Sequence, residues 1–544
     1  MRKVRACLVA LTLLGAAMLS AALPAAAQDA KTSGGPIVYH VTNHDVSLPL
    51  WLMARAPKKG AGEVNILIPE NRNPHPFAGA AHVNDPVGDD PVTEGRPEVS
   101  TTNLLNFDGI PQSQSICDCA PPDTEGVVGA TQFVQYVNTA YEVYDKTTGA
   151  SILGPLAGNS FWSGFGGACQ NNDDGDPIVM YDKFAQRWVF AQNVFVAPYY
   201  VCIAVSTSDD ATGSYNRYAY KLGSVNFPDY PKWGVWPDTV NNAYFQTFNI
   251  FANGVNETGA MACAADRADM LSGAAAPNFV CFQTPLTNQF NVLPADLDGS
   301  TAPPSGSPNY YVNLASATGN LNIWQFHVDF TTPTNSTFTG PTLITTAAFN
   351  NICDDGANRD CIKQPSPGEG VDSLTGRMMY RLNYRNFGTY ESLLVNHTVA
   401  PASGSTAVGA ARWYEIRSPG SSPTVFQQGT VQFKAFSVWA GSIAQDKNGD
   451  IALGVSLAST TIDPSVIYYG RVPTDALGTM ESPKLVVKGT GVQENTDNRW
   501  GDYSLMSIDP TDDCTFWYTQ EYIKTTGSFN WNTRINSFRF TGCS

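Results

Sequence analysis

Hydrophobic and polar positions repeat in a fixed order along this chain from Pro121 onward. Each copy starts with an acidic or polar lead, continues as a short apolar strand, passes a turn rich in Asp, Asn or Gly, and ends in an aromatic strand. The clearest copy begins at Arg499, with the strand Leu505–Ile508, the turn Asp509–Asp513 and the strand Thr515–Tyr518. Short alternating runs separated by such turns predict β-hairpins.

Six further copies of this outline precede that hairpin, each followed by two more strand-like runs. Their leads lie at Asp123–Gly126, Asp176–Asp182, Asp229–Asp238, Asp296–Gly299, Glu369–Asp372 and Trp439–Asp446. Repetition of a four-stranded motif predicts an all-β fold, a β-propeller of seven four-stranded blades. We expect the final strand, Ile535–Phe540, to close the ring together with the N-terminal strand near Ile37–Val41. Two β-sandwich domains are the alternative architecture.

The N-terminal region differs from the repeats and suggests three parts for the whole chain. Residues 1–27 have a basic start, an apolar middle and an Ala-rich end, which predicts a cleaved export signal; a membrane anchor is the alternative. Residues 28–112 contain one strand and a Pro- and Gly-rich extended arm, and residues 113–544 form the propeller. No later segment has the roughly 20 apolar residues of a membrane span. We therefore expect a secreted or periplasmic protein.

The charge of the chain excludes two classes of partner. The formal net charge is −16, and removal of the signal takes away three more basic residues. Nucleic acids and anionic membranes both require a basic surface, so neither is expected as a partner. A carbohydrate or an extracellular protein is the expected partner, and the chain is expected to be a monomer.

Ten of the eleven cysteines lie outside the signal, and an even number in an exported protein predicts disulfides. Local pairing is the most natural arrangement. It gives Cys169–Cys202, Cys263–Cys281, Cys353–Cys361 and Cys514–Cys543, which leaves Cys117 with Cys119. A zinc site is the alternative use of these thiols.

Ligands of propellers usually bind at one mouth of the axis, where the inner strands begin, and the acidic leads are predicted to converge there. The carboxylates that are candidates for catalysis are Asp123, Asp176, Asp229, Glu369 and Asp502. The candidates for ligand binding are Glu125, Lys232, Trp233, Arg377, Trp439, Arg499, Trp500 and Tyr503. Carboxylates flanked by aromatic walls suit a sugar, and two carboxylates at a suitable separation can hydrolyse a glycosidic bond. The alternative is that these residues only cap strand ends.

Three Asp- and Asn-rich loops suggest Ca²⁺ as a cofactor, because hard cations prefer several oxygens in one short loop. The candidate ligands are Asp173, Asp296, Asp298, Asp446, Asn448 and Asp450. No loop completes an EF-hand, and such turns also form without metal. The chain contains no nucleophile elbow, zinc-protease helix, phosphate loop or dinucleotide fingerprint.

Three segments resemble a group of uncharacterised exported bacterial proteins that are related loosely to the sialidase-like superfamily. They are Pro121–Gly126, Met379–Gly388 and Arg499–Glu521. The resemblance implies a propeller fold and carries no assigned chemistry. The Asp-box of sialidases is only echoed by Ser507–Asp509 with Thr515–Trp517, and the Arg-Ile-Pro motif is absent.

The preferred hypothesis is a secreted propeller that binds a carbohydrate or protein at its axial mouth. A glycoside hydrolase or polysaccharide lyase with paired carboxylates is the first alternative. A structural surface or matrix protein is the second.

Overall fold

A computed structural model describes most of the chain. The described residues are 34–53, 66–67, 85–87, 96–115, 117, 119–284, 291–315, 319–353, 360–400, 408–433, 436–496 and 498–544. The predicted export signal, 1–27, and much of the predicted arm lie outside these residues. The described helices include none that is long and apolar enough to cross a membrane.

The elements before the repeats are short. In chain order they are β1 (Ile37–Tyr39), β2 (Val41–Val46), α1 (Leu50–Met53), β3 (Ile66–Leu67), β4 (Thr101–Asp108) and β5 (Cys119–Ala120). Strands β3 and β5 form a small parallel pair.

Seven four-stranded antiparallel units follow, and the first three occupy residues 125–283. The first unit contains β6 (Glu125–Val128), β7 (Gln132–Val137), β8 (Ala140–Asp145) and β9 (Ser151–Ala157). Helix α2 (Gly167–Asn171) precedes the second unit, which contains β10 (Ile178–Asp182), β11 (Arg187–Val194), β12 (Tyr199–Ser206) and β13 (Tyr215–Gly223). The third contains β14 (Asn226–Pro237), β15 (Asn242–Ala252), β16 (Asn256–Asp266), α3 (Arg267–Ser272) and β17 (Phe279–Gln283).

The remaining four units occupy the rest of the chain. The fourth contains β18 (Leu293–Asp298), β19 (Asn309–Leu314), β20 (Asn320–His327) and β21 (Thr337–Thr345). The fifth contains β22 (Met379–Asn386), β23 (Glu391–Val399), β24 (Ala410–Arg417) and β25 (Thr424–Val431). The sixth contains β26 (Ser437–Gln445), β27 (Ile451–Ser459), β28 (Ile462–Arg471) and β29 (Lys484–Val487). The seventh begins with β30 (Leu505–Ile508), β31 (Thr515–Ile523) and β32 (Trp531–Phe540). Short 3₁₀ turns occur at Gln112–Gln114, Gly158–Trp162 and Pro333–Asn335.

The first strand of every unit lies innermost, and neighbouring inner strands contact each other around a closed ring. The units are otherwise separate sheets, except that β18 and β22 pair in parallel and join the fourth unit to the fifth. The all-β propeller prediction is confirmed, and two sandwiches are not the architecture found.

The final strand closes the ring as predicted, but its N-terminal partner is not the strand near Ile37–Val41. The outer strand of the seventh unit is β4, which pairs antiparallel with β32 from Asp108 opposite Arg534 to Thr101 opposite Phe540. Strand β1 instead extends the third unit through β17, and β2 extends the second through β13. The prediction missed β4 because Thr101–Asp108 carries two Asn, two Thr and one Asp, residues that are typical of turns.

Both faces of each sheet are buried against neighbouring units, which explains the nearly continuous apolar strands. In β11, Trp188 and Phe190 pack toward the first unit, while Val189 and Ala191 pack toward the third. Successive side chains of a strand point to opposite faces, so one strand supplies two interfaces.

All five predicted disulfides are present. They are Cys117–Cys119, Cys169–Cys202, Cys263–Cys281, Cys353–Cys361 and Cys514–Cys543. These ten thiols are therefore used in bonds to each other, and the zinc alternative does not apply to them.

Candidate functional site

Three carboxylates from distant parts of the chain meet at the axis. Asp123 precedes β6, Asp176 precedes β10 and Asp502 precedes β30, so each stands where an inner strand begins. One carboxylate oxygen from each residue lies within 4.8 Å of the other two, and the residues are 0, 4 and 6 % exposed. We call these three residues the axial acids.

Asn138, which sequence reasoning missed, holds two of the axial acids in place. It lies in the turn between β7 and β8, and its Nδ2 donates to Oδ2 of Asp123 at 2.6 Å. Its Oδ1 accepts from the backbone N–H of Asp176 at 2.9 Å. The backbone N–H of Asp502 donates to Oδ1 of Asp123 at 2.6 Å. Asp123 and Asp176 both adopt positive φ angles, 46° and 48°, a region that Asp tolerates better than most residues.

Burial dominates the electrostatics of this group. It raises the pKa of Asp123 well above its usual value, and the nearby Asp502 and Asp176 raise it further. Burial also raises the pKa of Asp176, although Lys232 opposes this effect. The Nη2 of Arg499 lies 3.6 Å from Oδ1 of Asp502.

Lys232 is a buried cation that offsets part of the negative charge of these acids. Its Nζ lies 3.7 Å from the ring centroids of both Tyr230 and Tyr503, a cation–π arrangement on two faces. Burial lowers the pKa of Lys232 to about 8, while Asp176 and Glu125 act in the opposite direction. The hydroxyl of Tyr503 donates to Oδ1 of Asp176 at 3.4 Å.

Glu125 lies two residues beyond Asp123, within β6, and is fully buried. Neither of its carboxylate oxygens has a hydrogen-bond partner among the residues that the structure describes. Burial raises its pKa well above the usual value, and Lys232 is the largest opposing influence. A buried carboxylate in this state is costly unless it is protonated or meets a cation.

Two predicted catalytic residues lie outside the axial acids. Asp229 is buried in β14 opposite Asn249, before the bulge that precedes Lys232. Glu369 lies before β22 and accepts hydrogen bonds from the backbone N–H of Thr496, at 3.0 Å, and from its hydroxyl. The prediction placed Glu369 at a strand start because it took Arg377–Arg381 as the second strand of that copy, whereas β22 is the inner strand.

The predicted tryptophan walls are core residues. Trp233, Trp439 and Trp500 are each 0 % exposed. Trp233 packs in the interface of the second and third units, and the rings of Trp439 and Trp500 lie 5.2 Å apart in an apolar cluster with Trp531. Their rings therefore pack against protein rather than line an open mouth. Arg377 lies with its Cζ 5.0 Å from the ring centroid of Tyr230.

Asp296 and Asp298, which were predicted as calcium ligands, are held by basic side chains instead. Nη1 of Arg381 donates to Asp296 at 2.7 Å, and Nη2 of Arg381 donates to Asp298. Nζ of Lys183 also donates to Asp298, at 3.2 Å. Burial alone would raise the pKa of Asp298, but Arg381 and the other nearby cations hold it at about 2. The guanidinium of Arg381 thus supplies positive charge at the position where the sequence analysis predicted a calcium ion.

The other two predicted calcium loops have the hydrogen bonds of ordinary turns. Oδ1 of Asp446 accepts from the backbone N–H groups of Asn448, at 2.9 Å, and Asp450, at 3.0 Å. Asp173 accepts from the backbone N–H of Asn159 at 3.1 Å. Burial raises the pKa of Asp173 and of Asp446 to about 8. Calcium in these two loops stays a prediction.

A small cavity of about 20 Å³, enough for about one water molecule, lies along the axis, toward the ends of the inner strands. Its wall combines apolar strand residues with Lys183, Asp298, Arg381 and Ser507. A second pocket of about 170 Å³ shares Lys183 and Pro510 with it. The additional residues of this outer pocket are Phe184, Gly299, Ser300 and Asp513. We call the two pockets together the strand-end mouth.

Sequence reasoning missed Lys183 and Phe184 because they stand in the β10–β11 turn, away from the acidic leads. Phe184 is 41 % exposed. Asp513 at the same mouth accepts from both terminal nitrogens of Arg385, at 2.8 and 2.7 Å. The open part of the axis thus carries paired charges and one exposed aromatic ring.

No family model matches this chain, and no curated protein matches it. Solved structures to which it is similar include the endo-arabinase of Bacteroides thetaiotaomicron VPI-5482, at 11 % identity and a TM-score of 0.28, covering 66 % of this chain and 92 % of that one. The N-terminal domain of Nup159 is 9 % identical, with a TM-score of 0.33 and coverage of 82 % and 97 %. The WD40 domain of SCAP from fission yeast is 8 % identical, with a TM-score of 0.30 and coverage of 79 % and 81 %. These scores carry no argument about function.

Proposed function

We propose that this protein is an exported propeller that binds an extracellular carbohydrate at the strand-end mouth and releases it unchanged. The observation that carries the proposal is the outer pocket of this mouth, which adjoins the axial cavity and offers an exposed ring, charged groups and a volume of about 170 Å³. Small-ligand sites in proteins are concave and mostly apolar, with a few polar groups that fix orientation. The strand-end mouth has this composition.

The residues of the mouth suit a sugar in particular. The ring of Phe184 provides a flat apolar surface for one face of a pyranose or furanose. Lys183 and Ser300 supply donors for hydroxyl groups, and Asp513 supplies acceptors. These charges are already paired within the protein, so a neutral polyhydroxylated ligand fits better than a strongly charged one.

The protonation state of Asp298 argues against this residue as a general acid at the mouth. A glycosidase needs one carboxyl group that is protonated near neutral pH to act as general acid. The pKa of Asp298 is held at about 2, so this carboxylate stays ionised at any pH at which the protein is expected to work. It can accept a hydrogen bond from a hydroxyl group, but it cannot deliver a proton to a leaving group.

The hydrolase alternative has one observation in its favour, which is the raised pKa of Asp123 beside Asp176. Access opposes it, since these residues are 0 and 4 % exposed. A sugar ring would reach them only after the residues that cover them had moved. We therefore place the glycoside hydrolase second.

The test is a glycan array followed by calorimetric titration of the best ligand. Phe184→Ala is expected to weaken binding about tenfold, which corresponds to about 1.4 kcal/mol. Phe426→Ala is the matched control, because Phe426 is 40 % exposed and lies at a different pocket, beside Arg417. It should leave the affinity unchanged.

The same samples distinguish binding from turnover. Wild-type protein incubated with the bound glycan is expected to release no new reducing ends. Release that disappears in Asp123→Asn would replace the proposal with the hydrolase alternative. Equal weakening by the two Phe variants, or no bound glycan, would contradict the proposed mouth.

A further inference from the structure

The axial acids form a second, separate centre that carbohydrate binding at the strand-end mouth does not use. All three are at least nine-tenths buried, and their carboxylates converge from the first, second and seventh units. An acidic cluster alone is often stabilised by protonation or by basic neighbours. Three further features of this centre point to a bound cation.

The first feature is an imbalance of charge. Five buried carboxylates lie close together here, the three axial acids together with Glu125 and Glu521, and Asp123 acts on both of these glutamates. The nearby basic side chains number three, Lys232, Arg499 and Arg377, with Arg377 directed at the ring of Tyr230. Arg381 is already committed to Asp296 and Asp298. If all five carboxylates were ionised, they would outnumber the basic side chains among the described residues of this centre, so they must be neutralised either by protonation or by a cation.

The second feature is a pair of buried carboxylates with unmet hydrogen-bonding capacity. Oδ1 of Asp502 accepts no hydrogen bond from the described residues, although Nη2 of Arg499 lies 3.6 Å from it, and its side chain is only 9 % exposed. Both oxygens of the fully buried Glu125 are in the same state. An unmet buried acceptor costs about 1 to 3 kcal/mol, and more when it is charged.

The third feature is distance. The oxygens of the axial acids lie within 4.8 Å of one another. Calcium binds oxygens at about 2.3 to 2.6 Å, so two ligands on opposite sides of the ion are about 4.6 to 5.2 Å apart. Mg²⁺ demands a near-ideal octahedron, dehydrates reluctantly and usually keeps several waters, so a buried site of protein carboxylates suits Ca²⁺ better. All the acidic ligands offer oxygen, which excludes a preference for soft metals.

We propose that Asp123, Asp176 and Asp502 bind one Ca²⁺ ion on the propeller axis. The ion balances the excess carboxylate charge and ties the first, second and seventh units together. Because Asp502 lies just before the inner strand of the seventh unit, the ion links the seventh unit to the first and second units, where the ring closes. Its contribution is structural, and it is taken up as the ring assembles.

Burial determines the design of the experiment, because a buried ion exchanges slowly. The whole protein is unfolded in denaturant with a chelator while its disulfides remain intact. It is then refolded with or without excess calcium chloride, freed of unbound metal, and assayed for calcium by elemental analysis. We expect one calcium per chain after refolding with calcium, and a higher melting temperature by several degrees. Magnesium chloride should give neither result.

Substitutions locate the ion. Asp502→Asn and Asp176→Asn keep the side-chain volume and should each reduce calcium retention at least tenfold. Asp329→Asn is the control, because this carboxylate lies away from the axis and accepts only within its own turn, from the backbone N–H groups of Thr331 and Thr332 and from Nδ2 of Asn335. It should retain one calcium per chain.

Failure of the wild-type protein to retain calcium would overturn the proposal and leave protonation as the way these acids are stabilised. Full retention by folded Asp502→Asn and Asp176→Asn would overturn the assigned ligands. The wild-type measurement stands even where a variant does not fold. Phe184→Ala should retain calcium, so loss of carbohydrate binding is distinguishable from loss of the ion.

Discussion

Nη2 of Arg412, in the fifth unit, lies 2.5 Å from Oδ2 of Asp85, and both side chains are completely buried. Asp85 belongs to residues 85–87, a short described part of the N-terminal region. The pair therefore anchors this region to the propeller. Arg412 also donates to the hydroxyl of Thr430 at 2.6 Å, which fixes the guanidinium within its sheet.

Removal of Asp85 should be strongly destabilising. Asp85→Ala leaves the Arg412 guanidinium buried without its counter-charge, and we expect a loss of about 3 to 5 kcal/mol in the free energy of unfolding. Urea denaturation measures this loss. Lys524→Met is the control, because Lys524 is 58 % exposed and lies 3.6 Å from the half-exposed Asp108. It should cost less than about 1 kcal/mol. Equal effects of the two changes would show that the anchor contributes nothing.

The close approach of inner strands predicts a steric effect at Gly234. A methyl group added there would overlap the backbone carbonyl of Ala295 in β18. We expect Gly234→Ala to lower the free energy of unfolding by about 1 to 3 kcal/mol, because neither inner strand can move away without disturbing the ring. Gly542→Ala is the matched control, since no atom lies within 4 Å of an added methyl group. A neutral Gly234→Ala would mean that the inner strands are less tightly packed than described.

We expect the stability of the protein to depend on pH through the buried side chain of His397. It is fully buried between Phe349 and Tyr414, and burial, together with the nearby Arg412, lowers its pKa well below the usual 6.5. Below pH 6.5 the unfolded chain binds a proton at this residue and the folded chain does not, so stability falls as the pH falls. This one residue contributes about 1.4 kcal/mol per pH unit until the pKa of the folded state is reached.

The measurement is a series of urea denaturations between pH 8 and pH 5. His397→Gln, whose amide can still reach the hydroxyl of Tyr414, should lose this part of the slope below pH 6.5. Above pH 7 the curves of the variant and the wild type should run parallel. Parallel curves over the whole range would show that His397 takes up its proton equally well in both states.

The propeller and the axial acids were predictable because their signals are local and periodic. Strand alternation, turn residues and the spacing of nearby cysteines can each be recognised within a short stretch of sequence. Asp123, Asp176 and Asp502 hold equivalent positions just before inner strands, so recognition of the repeat was enough to bring them together.

The remaining features depend on partners that are distant in sequence. Arg381 reaches Asp298 from 83 residues away, which no loop pattern reveals. Trp439 and Trp500 are buried because the units that carry them pack against each other, and the sequence does not show this packing. Glu369 lies in a long connection without strand periodicity, where the copy of the repeat was assigned out of step. Phe184 became notable only when the axial cavity placed it at an opening.

Closure of the ring by β4 has a consequence for biogenesis. This strand is made early, yet its partner β32 is the last strand of the chain, with Arg534 bonding to Asp108 across 426 positions. The seam must wait until β32 has been synthesised, and β4 has an unpaired edge until then. Contacts of such high order also form slowly. A chain that ends before Trp531 is therefore expected to lack the strand that pairs with β4, so the ring stays open at this seam.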